Sequence, residues 1–327
     1  MIDKNKTAFK TIPYSKILED YCINNKFEYE RLDPYVILVN LGGGVKIPFI
    51  YFYGPSSSWV NQRILDYKHL TLDLLKNNNI KVSDFLVFKI SDINTALTFA
   101  DNKYPVVVKP INDWCGNNVF TNIKNSYELS NILQDYKTNS GWAIIEKHFF
   151  GEDFRAFVCD GELISLTKRE AANVIGNGTD SVLQLIKKKN KERADNNFYL
   201  AKSLIPEDLN LLDKLVKHGL DLTYIPKKDE KLFLRGVTNV SAGGDSIDYT
   251  DLINDEIKTI AINSVKSIPC LVYSEVDILV KDYNTESFDY VVNEINFNFD
   301  PVAMYHSEGK SRDMFGPILT YYKKNYR

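Results

Sequence analysis

From residue 273 onward the chain alternates apolar and polar positions with period two. YSEVDILV (273–280) sets Val276, Ile278 and Val280 against Glu275, Asp277 and Leu279, and VVNEINFNFD (291–300) sets Ile295, Phe297 and Phe299 against Glu294, Asn296 and Asn298. Strand side chains point alternately to opposite faces, so each stretch predicts a strand with one polar side. The KDYNTES between them (281–287) has the composition of a hairpin loop. A turn centred near Thr285 and Glu286 brings Asp277 opposite or beside Glu294. Exposure to water is one reading of that polar side, since antiparallel strands often face solvent. Asn is depleted in strands, however, and two facing carboxylates repel unless a cation lies between them. An acid and an amide two positions apart, about 7 Å along a strand, suit a hard cation. Mg2+ takes few protein carboxylates and fills its shell with water and phosphate oxygens.

The same patterning predicts the remaining elements. YVILVN (35–40) and VKIPFIYFY (45–53) predict strands on either side of LGGG (41–44). Its glycines either allow close ligand approach or form a plain hairpin tip. WVNQRILDYKHLTLDLLKNNN (59–79) carries Ile64, Leu65, Leu70, Leu74 and Leu75 near helical spacing and predicts one helix stopped by asparagines. KYPVVVKP (103–110) predicts a strand ending in Lys109, whose ammonium either snorkels to solvent or serves a phosphate. WAIIEKHF (142–149) predicts a further strand, and GEDFRAFVCDGELISL (151–166) predicts two strands about Asp160 and Gly161. SVLQLIKKKNKER (181–193) predicts a helix whose basic run forms a solvated face. LFLRGVTNVSAGGDSIDYTDL (232–252) reads as a strand entering a Gly-Gly loop, and helices follow over 254–268 and at the C-terminus. There is no internal repeat, and the mixture indicates α+β lobes.

Composition narrows the function classes. A length of 327 residues suits two or three lobes. The net charge of −3 gives no bulk electrostatic case for a nucleic-acid partner. Cys22, Cys115, Cys159 and Cys270 lack paired spacing and predict free thiols in a reducing compartment. MIDKNKTAFK lacks the apolar core of a signal peptide, and no run of about 18 apolar residues predicts a membrane span. The expectation is a cytoplasmic protein with no membrane partner.

Several stretches together resemble the ATP-grasp ligases, most nearly the ATP-grasp part of bifunctional glutathione synthetase and of cyanophycin synthetase. They are PVVVKP (105–110), IIEKHFFGEDFRAFV (144–158), LTKREAANVIGNGTDSVLQLI (166–186), LRGVTNVSAGGDSIDYTD (234–251), VDILV (276–280) and NEINFNFDPVAMYH (293–306). LGGG and YKHLTLDLLKNNNIKVS match more weakly. The resemblance runs from about residue 35 to the C-terminus. It implies an ATP-grasp fold of class α+β, two lobes clasping ATP, with residues 1–62 as a small α/β segment ahead of the grasp. Residues 63–148 would be the central lobe with its lid loop, and 149–327 the C-terminal lobe with metal and acceptor sites.

Carried over residue by residue, the resemblance assigns Lys68 and Lys109 to the ATP phosphates, which need fixed cations. Gly116 falls in the lid loop, and Glu146, Lys147 and Phe149 fall in the hinge strand that receives adenine. Asp153 stands where the family has a Glu accepting the ribose hydroxyls. Asp277, Glu294 and Asn296 match magnesium ligands. Arg235 matches an arginine facing the transferred phosphoryl group, and a guanidinium suits planar oxyanions. Arg169 and Asn173 line the same site, as does Arg155 on the substrate side. Ser241, Gly243, Gly244 and Asn298 fall in substrate regions, where glycine N–H groups can form an anion nest. For any one of these residues a purely structural ion pair is the other reading. The sequence departs from the pattern at Asn118, in the lid's G-x-G, at Tyr67 for Asp, at Asp153 for Glu and at Ala172 for Pro. His306 lies in a site-like segment, where a loop or helix-cap role is expected; His69, His148 and His218 are assigned no role.

The implied chemistry is ATP-dependent amide-bond formation through an acyl-phosphate, releasing ADP and phosphate. Mg2+ would assist, as two ions, with Mn2+ able to substitute. The substrates would be an amino acid or short peptide carboxylate and an amino acid amine, and homodimers are common in relatives. The companion halves of the bifunctional enzymes do not fit in this length, so a stand-alone ligase is expected. Two other readings are open: a phosphotransferase or ligase with a non-amine acceptor, and a nucleotide-binding regulator with an inactive site.

Overall fold

The computed structural model describes residues 13–112, 118–196, 201, 203–285, 287–297 and 300–326. The expected residues Gly116 and Asn298 lie outside that set, as do most of the lid loop and Cys115. Helix α1 (Pro13–Asn24) precedes an antiparallel sheet of β1 (Glu28–Arg31), β2 (Val36–Gly42) and β3 (Val45–Ile50). The predicted single helix over 59–79 is two, α2 (Trp59–Asp66) and α3 (Lys68–Asn77). Tyr67 breaks it with extended dihedrals, φ −100° and ψ 90°. The Tyr67 ring is held under the Arg63 guanidinium, 3.6 Å from its centroid. Lys68 thereby begins a new helix, its backbone N–H bonded to the Ile111 carbonyl.

A four-stranded antiparallel sheet follows in the order β4 (Phe85–Lys89), β7 (Trp142–Lys147), β5 (Val106–Pro110), β6 (Phe120–Ile123). Helices α4 (Ile93–Ala100) and α5 (Ser126–Asp135) pack against it, sharing a core of Phe88, Val106, Val108, Leu129 and Ile145.

The larger sheet has five antiparallel strands in the order β12 (Asp245–Asp248), β9 (Glu162–Glu170), β8 (Glu152–Cys159), β13 (Tyr273–Lys281), β14 (Asp289–Asn296). Between β9 and β12 run β10 (Asn173–Ile175), α6 (Val182–Asn196), α7 (Asp213–Lys217) and β11 (Lys231–Phe233). One face of the large sheet, with Phe154, Ala156, Leu166, Val276, Ile278 and Ile295, packs on α8 (Asp255–Lys266). Leu65 and Leu75 of α2 and α3 join that core. Near one end of the opposite face, Phe157, Cys159 and Tyr273 pack with β2, β3 and the terminal helix α9 (Phe315–Asn325). The N-terminal sheet and α2–α3 thus share their cores with the C-terminal sheet. The rest of that opposite face is mostly polar, with Leu279 and Val291 as apolar positions on it.

Candidate functional site

Strand register builds the polar face. Asp277 pairs with Glu294 on one side and Arg155 on the other, and Arg155 in turn pairs with Thr167, which pairs with Asp248. Five strands thus place Asp248, Thr167, Arg155, Asp277 and Glu294 in one row. The adjacent rows contribute Asp153 opposite Arg169, and Glu275 opposite Asn296. The turn placement inferred for the 281–287 loop gives this register. What alternation alone did not anticipate is a bulge between Asp277 and Ile278 in the pairing with β14. The extra residue, Asn293, lets Val292 and Ile295 both enter the apolar core and re-aims its own amide, as bulges beside functional sites do.

Two lysines from other elements converge on this edge. Lys68 Nζ lies 3.0 Å from Glu294 Oε2. Lys109 Nζ lies 2.8 Å from Glu146 Oε1 and donates to Asn293 Oδ1 at 3.3 Å. Lys109 does not snorkel; it is buried, 4% exposed. Glu146 is buried beside it, while Lys147 is exposed and Phe149 half-buried. At the end of β7, the N–H groups of Lys147 and His148 bond to the Asp84 and Pro105 carbonyls.

The arginines neutralise the centre of the row. Arg155 donates to Asp277 from Nε at 2.8 Å and from Nη2 at 2.9 Å, and its Nη1 lies 3.2 Å from Glu275. Arg169 Nη2 donates to Asp277 at 2.9 Å and to Asp153 at 2.6 Å. Burial opposes the charge on Asp277, yet Arg155 and Arg169 hold its carboxyl well below the usual range. For Glu294, burial is likewise outweighed by the Lys68 ammonium, and the carboxyl is lowered. Glu275 goes the other way: burial pushes it up to about 8 against the pull of Arg155.

Asp277, Glu294 and Asn296 form an oxygen-rich set of the kind Mg2+ takes. Among the described residues no three His, Cys, Asp or Glu side chains gather tightly enough to hold a metal by themselves, so the third ligand would be an amide. Two observations fit a cation there; the Asn296 Nδ2, buried without a hydrogen-bond partner among the described residues, is a donor that asks for an acceptor and is not one of them. Glu294 keeps 25% of its side chain exposed. Asp277 accepts three N–H bonds against about four lone-pair sites on a carboxylate.

Not every expected residue joins this centre. Asn173 donates to Asp245 at 2.8 Å and belongs to a second cluster. There, Lys189 Nζ and Arg193 Nη2 each lie 2.7 Å from Asp245. Burial opposes the Asp245 charge, and those two cations lower its carboxyl nonetheless. The basic run of α6 is therefore not wholly a solvated face. Ile186, Asn190 and Arg193 recur at helical spacing and are buried, a signal in the sequence that the charge run masks. Arg193 also donates to the carbonyls of Ser203 and Gly244.

Arg235 donates from Nη1 to the Ala242 carbonyl at 3.1 Å, while its Nε is buried without a partner among the described residues. The expected anion nest takes another form. The Gly243 and Gly244 N–H groups bond to the Val240 and Asn239 carbonyls, and Ser241 is exposed. The glycines serve packing instead: a Cβ at Gly244 would lie 2.6 Å from the Glu170 carbonyl oxygen. Asp153, expected to face a ribose, has one oxygen on Arg169 and the other on the Thr238 hydroxyl. His306 donates from Nδ1 to the Lys310 carbonyl and bonds through Nε2 to Thr167, each at 2.7 Å. Cys22 and Cys159 are buried free thiols and Cys270 is an exposed one. No helix of the described residues is long and apolar enough to cross a membrane.

Comparisons with known proteins agree with this architecture. The chain is 28% identical over 318 residues to the glutathione biosynthesis bifunctional protein of Clostridium perfringens, covering 91% of this chain and 39% of that protein. It is 29% identical over 237 residues to cyanophycin synthetase of Nostoc, covering 70% of this chain and 26% of that one. The crystal structure of a bifunctional glutathione synthetase from Pasteurella multocida superposes with a TM-score of 0.73 at 22% identity, over 96% of this chain and 44% of that one. No family profile matches the chain. The chain thus has the ATP-grasp fold and resembles the ATP-grasp part of these proteins, while spanning well under half their length.

Proposed function

We propose that this chain is an ATP-dependent carboxylate–amine ligase, joining the carboxylate of an amino acid or short peptide to the amine of an amino acid through an acyl-phosphate. The observation that carries the reading is the continuous run of charge on one sheet face. Lys109 and Lys68 converge on Asn293 and Glu294, and Asp277, Arg155, Arg169 and Asp153 continue the run. Phosphoryl transfer asks a protein mainly for positioning and fixed charge, and this face offers both signs in order.

Asp277, Glu294 and Asn296 would hold Mg2+, in one or two ions, and ATP would be bound by Lys68, Lys109 and the Glu146–Phe149 hinge. Bound Mg2+ would offset the charge of the phosphate oxygens during transfer. The chain's own groups do the rest. Lys68 and Lys109 would leave their carboxylate and amide partners for the phosphates. Arg155 and Arg169 keep Asp277 ionised and oriented. Arg235, whose buried Nε–H has no partner among the described residues, would receive the oxyanion of the phosphorylated carboxylate. The amine then attacks the acyl carbon, the C–N bond forms, the C–O bond to phosphate breaks, and phosphate leaves with the electron pair and takes up the proton that the nitrogen releases. Water excluded by a closed site would protect the acyl-phosphate from hydrolysis.

The test is ADP release with Mg-ATP against the twenty amino acids, singly and in pairs, with mass spectrometry of the products. The expected result is release that needs two amino acids, with a product lighter by one water than their sum. A phosphorylated product without an amide would favour the phosphotransferase reading instead.

A further inference from the structure

Asp153 occupies the position at which the resemblance places a ribose ligand, but its surroundings give it different work. On β8 it stands directly opposite Arg169 of β9. Directly opposed side chains have Cβ atoms about 5 Å apart, within reach of a side chain as short as aspartate. Its Oδ1 accepts from Arg169 Nη2 at 2.6 Å. Its Oδ2 accepts from the hydroxyl of Thr238, which lies in the loop between β11 and β12. The side chain is only 11% exposed. The same Arg169 Nη2 donates to Asp277 at 2.9 Å.

Thr238 sits three residues after Arg235 and five before Gly243, in the loop that would take the acceptor. That loop is anchored at its far end by Arg193, which donates to the Gly244 carbonyl at 2.9 Å. Its near end has the Thr238–Asp153–Arg169–Asp277 chain. We propose that Asp153 is a latch residue rather than a ribose ligand: with Thr238 it fixes the Arg235-bearing loop to the carboxylate that would hold the metal. Asp153 and Thr238 are then positioning residues, acting on the acceptor side of the site through Arg235 and its loop. This rests on the ligase reading for its catalytic consequence, though the latch itself is a property of the fold.

Two variants break the latch at different atoms: Asp153→Asn weakens both contacts, and Thr238→Val removes only the loop's hydroxyl while keeping the side chain's shape. Hydrogen exchange of residues 236–244 reads the latch without any ligand. Each variant should speed exchange there by about 10-fold or more, the loss of a hydrogen bond to a charged group, and the double variant should exchange no faster than Asp153→Asn alone. Independent, multiplying effects of the two substitutions would overturn the proposal.

The ribose role is tested by titrating ATP and 2′,3′-dideoxy-ATP, in Mg2+, against the wild type and both variants. With a latch, the ratio of the two affinities is the same in wild type and Asp153→Asn. A ribose ligand gives the opposite result, a wild-type preference for ATP that collapses in Asp153→Asn, and that outcome also overturns the proposal. Kinetics supply the third readout, with the amino acid pair found by ADP release. Both variants should raise the KM of the amine acceptor about 10-fold and leave the KM of ATP within twofold. If the wild type binds neither nucleotide, the ligase reading fails, and the exchange measurement still decides the latch.

Discussion

Replacing Arg155 by methionine removes a guanidinium that serves two buried carboxylates at once. It donates to Asp277 at 2.8 and 2.9 Å and lies 3.2 Å from Glu275. At an effective dielectric of about 20, unit charges about 4 Å apart attract by about 4 kcal/mol. Burying each ion costs several kcal/mol, so the intact pair contributes little net, whereas removing one partner costs about 3–5 kcal/mol. Two features put the expected loss near the lower bound. Asp277 keeps Arg169 at 2.9 Å, and Glu275, pushed up to about 8, escapes by remaining protonated. The expected loss is therefore about 3 kcal/mol. Arg155→Lys keeps the charge without the fork and should lose roughly half as much. Urea denaturation at pH 7 in EDTA measures both, with the m-value unchanged between variants. A loss under about 1 kcal/mol for methionine, the range of an exposed pair, would refute the view that this guanidinium holds the row together. So would lysine performing no better than methionine.

Three further outcomes follow from the same geometry. Asp248 accepts a forked contact from Arg312 and has its carboxyl lowered, the hydrogen bonds of Arg312 and Thr250 outweighing burial. A depressed folded pKa contributes stability above the unfolded value of about 3.9 and loses it as pH falls. Asp248→Asn should thus melt below the wild type at pH 7, with the gap narrowing as pH falls below the unfolded value of about 3.9; a gap independent of pH would contradict that. Gly244→Ala would place its Cβ 2.6 to 2.9 Å from three backbone carbonyl oxygens; it should cost about 2 kcal/mol or more, and a neutral result in thermal melts would show the loop to be slack. Lys109→Met leaves Glu146 buried without its cation and should raise the ATP Kd at least ~10-fold; unchanged binding in a nucleotide titration would remove Lys109 from the phosphate site.

How far the site could be read from sequence depends on the distance over which its contacts act. Asp277 and Glu294 face each other across a short hairpin, so alternation and loop length were enough. The bulge at Asn293 was not legible, because VVNEIN carries no glycine or proline to mark it, and only the need to bury both Val292 and Ile295 reveals it. Tyr67 reads as a helix residue by period; its contacts with Arg63 and with Asn112, 45 positions away, set the break that turns Lys68 toward Glu294. The Asp245 cluster was hidden for a similar reason, since a run of lysines looks solvated until an acid 56 residues away is seen beside Lys189. Asp153 is the most instructive case. Motif position suggested a sugar, whereas its partners are Arg169 on the neighbouring strand and Thr238 in the loop between β11 and β12, contacts that no linear pattern displays.

The most direct test of the account follows one oxygen atom. With the substrate pair identified by ADP release, the carboxylate donor is supplied with 18O in its carboxyl group, and the released phosphate is analysed by mass spectrometry. An acyl-phosphate requires a carboxylate oxygen to bond to the γ-phosphorus and to remain there when the amine displaces phosphate, so each amide formed should yield one phosphate carrying one 18O. Unlabelled phosphate accompanying labelled amide would mean that the carboxylate is never phosphorylated, and the proposed chemistry of this site would be wrong.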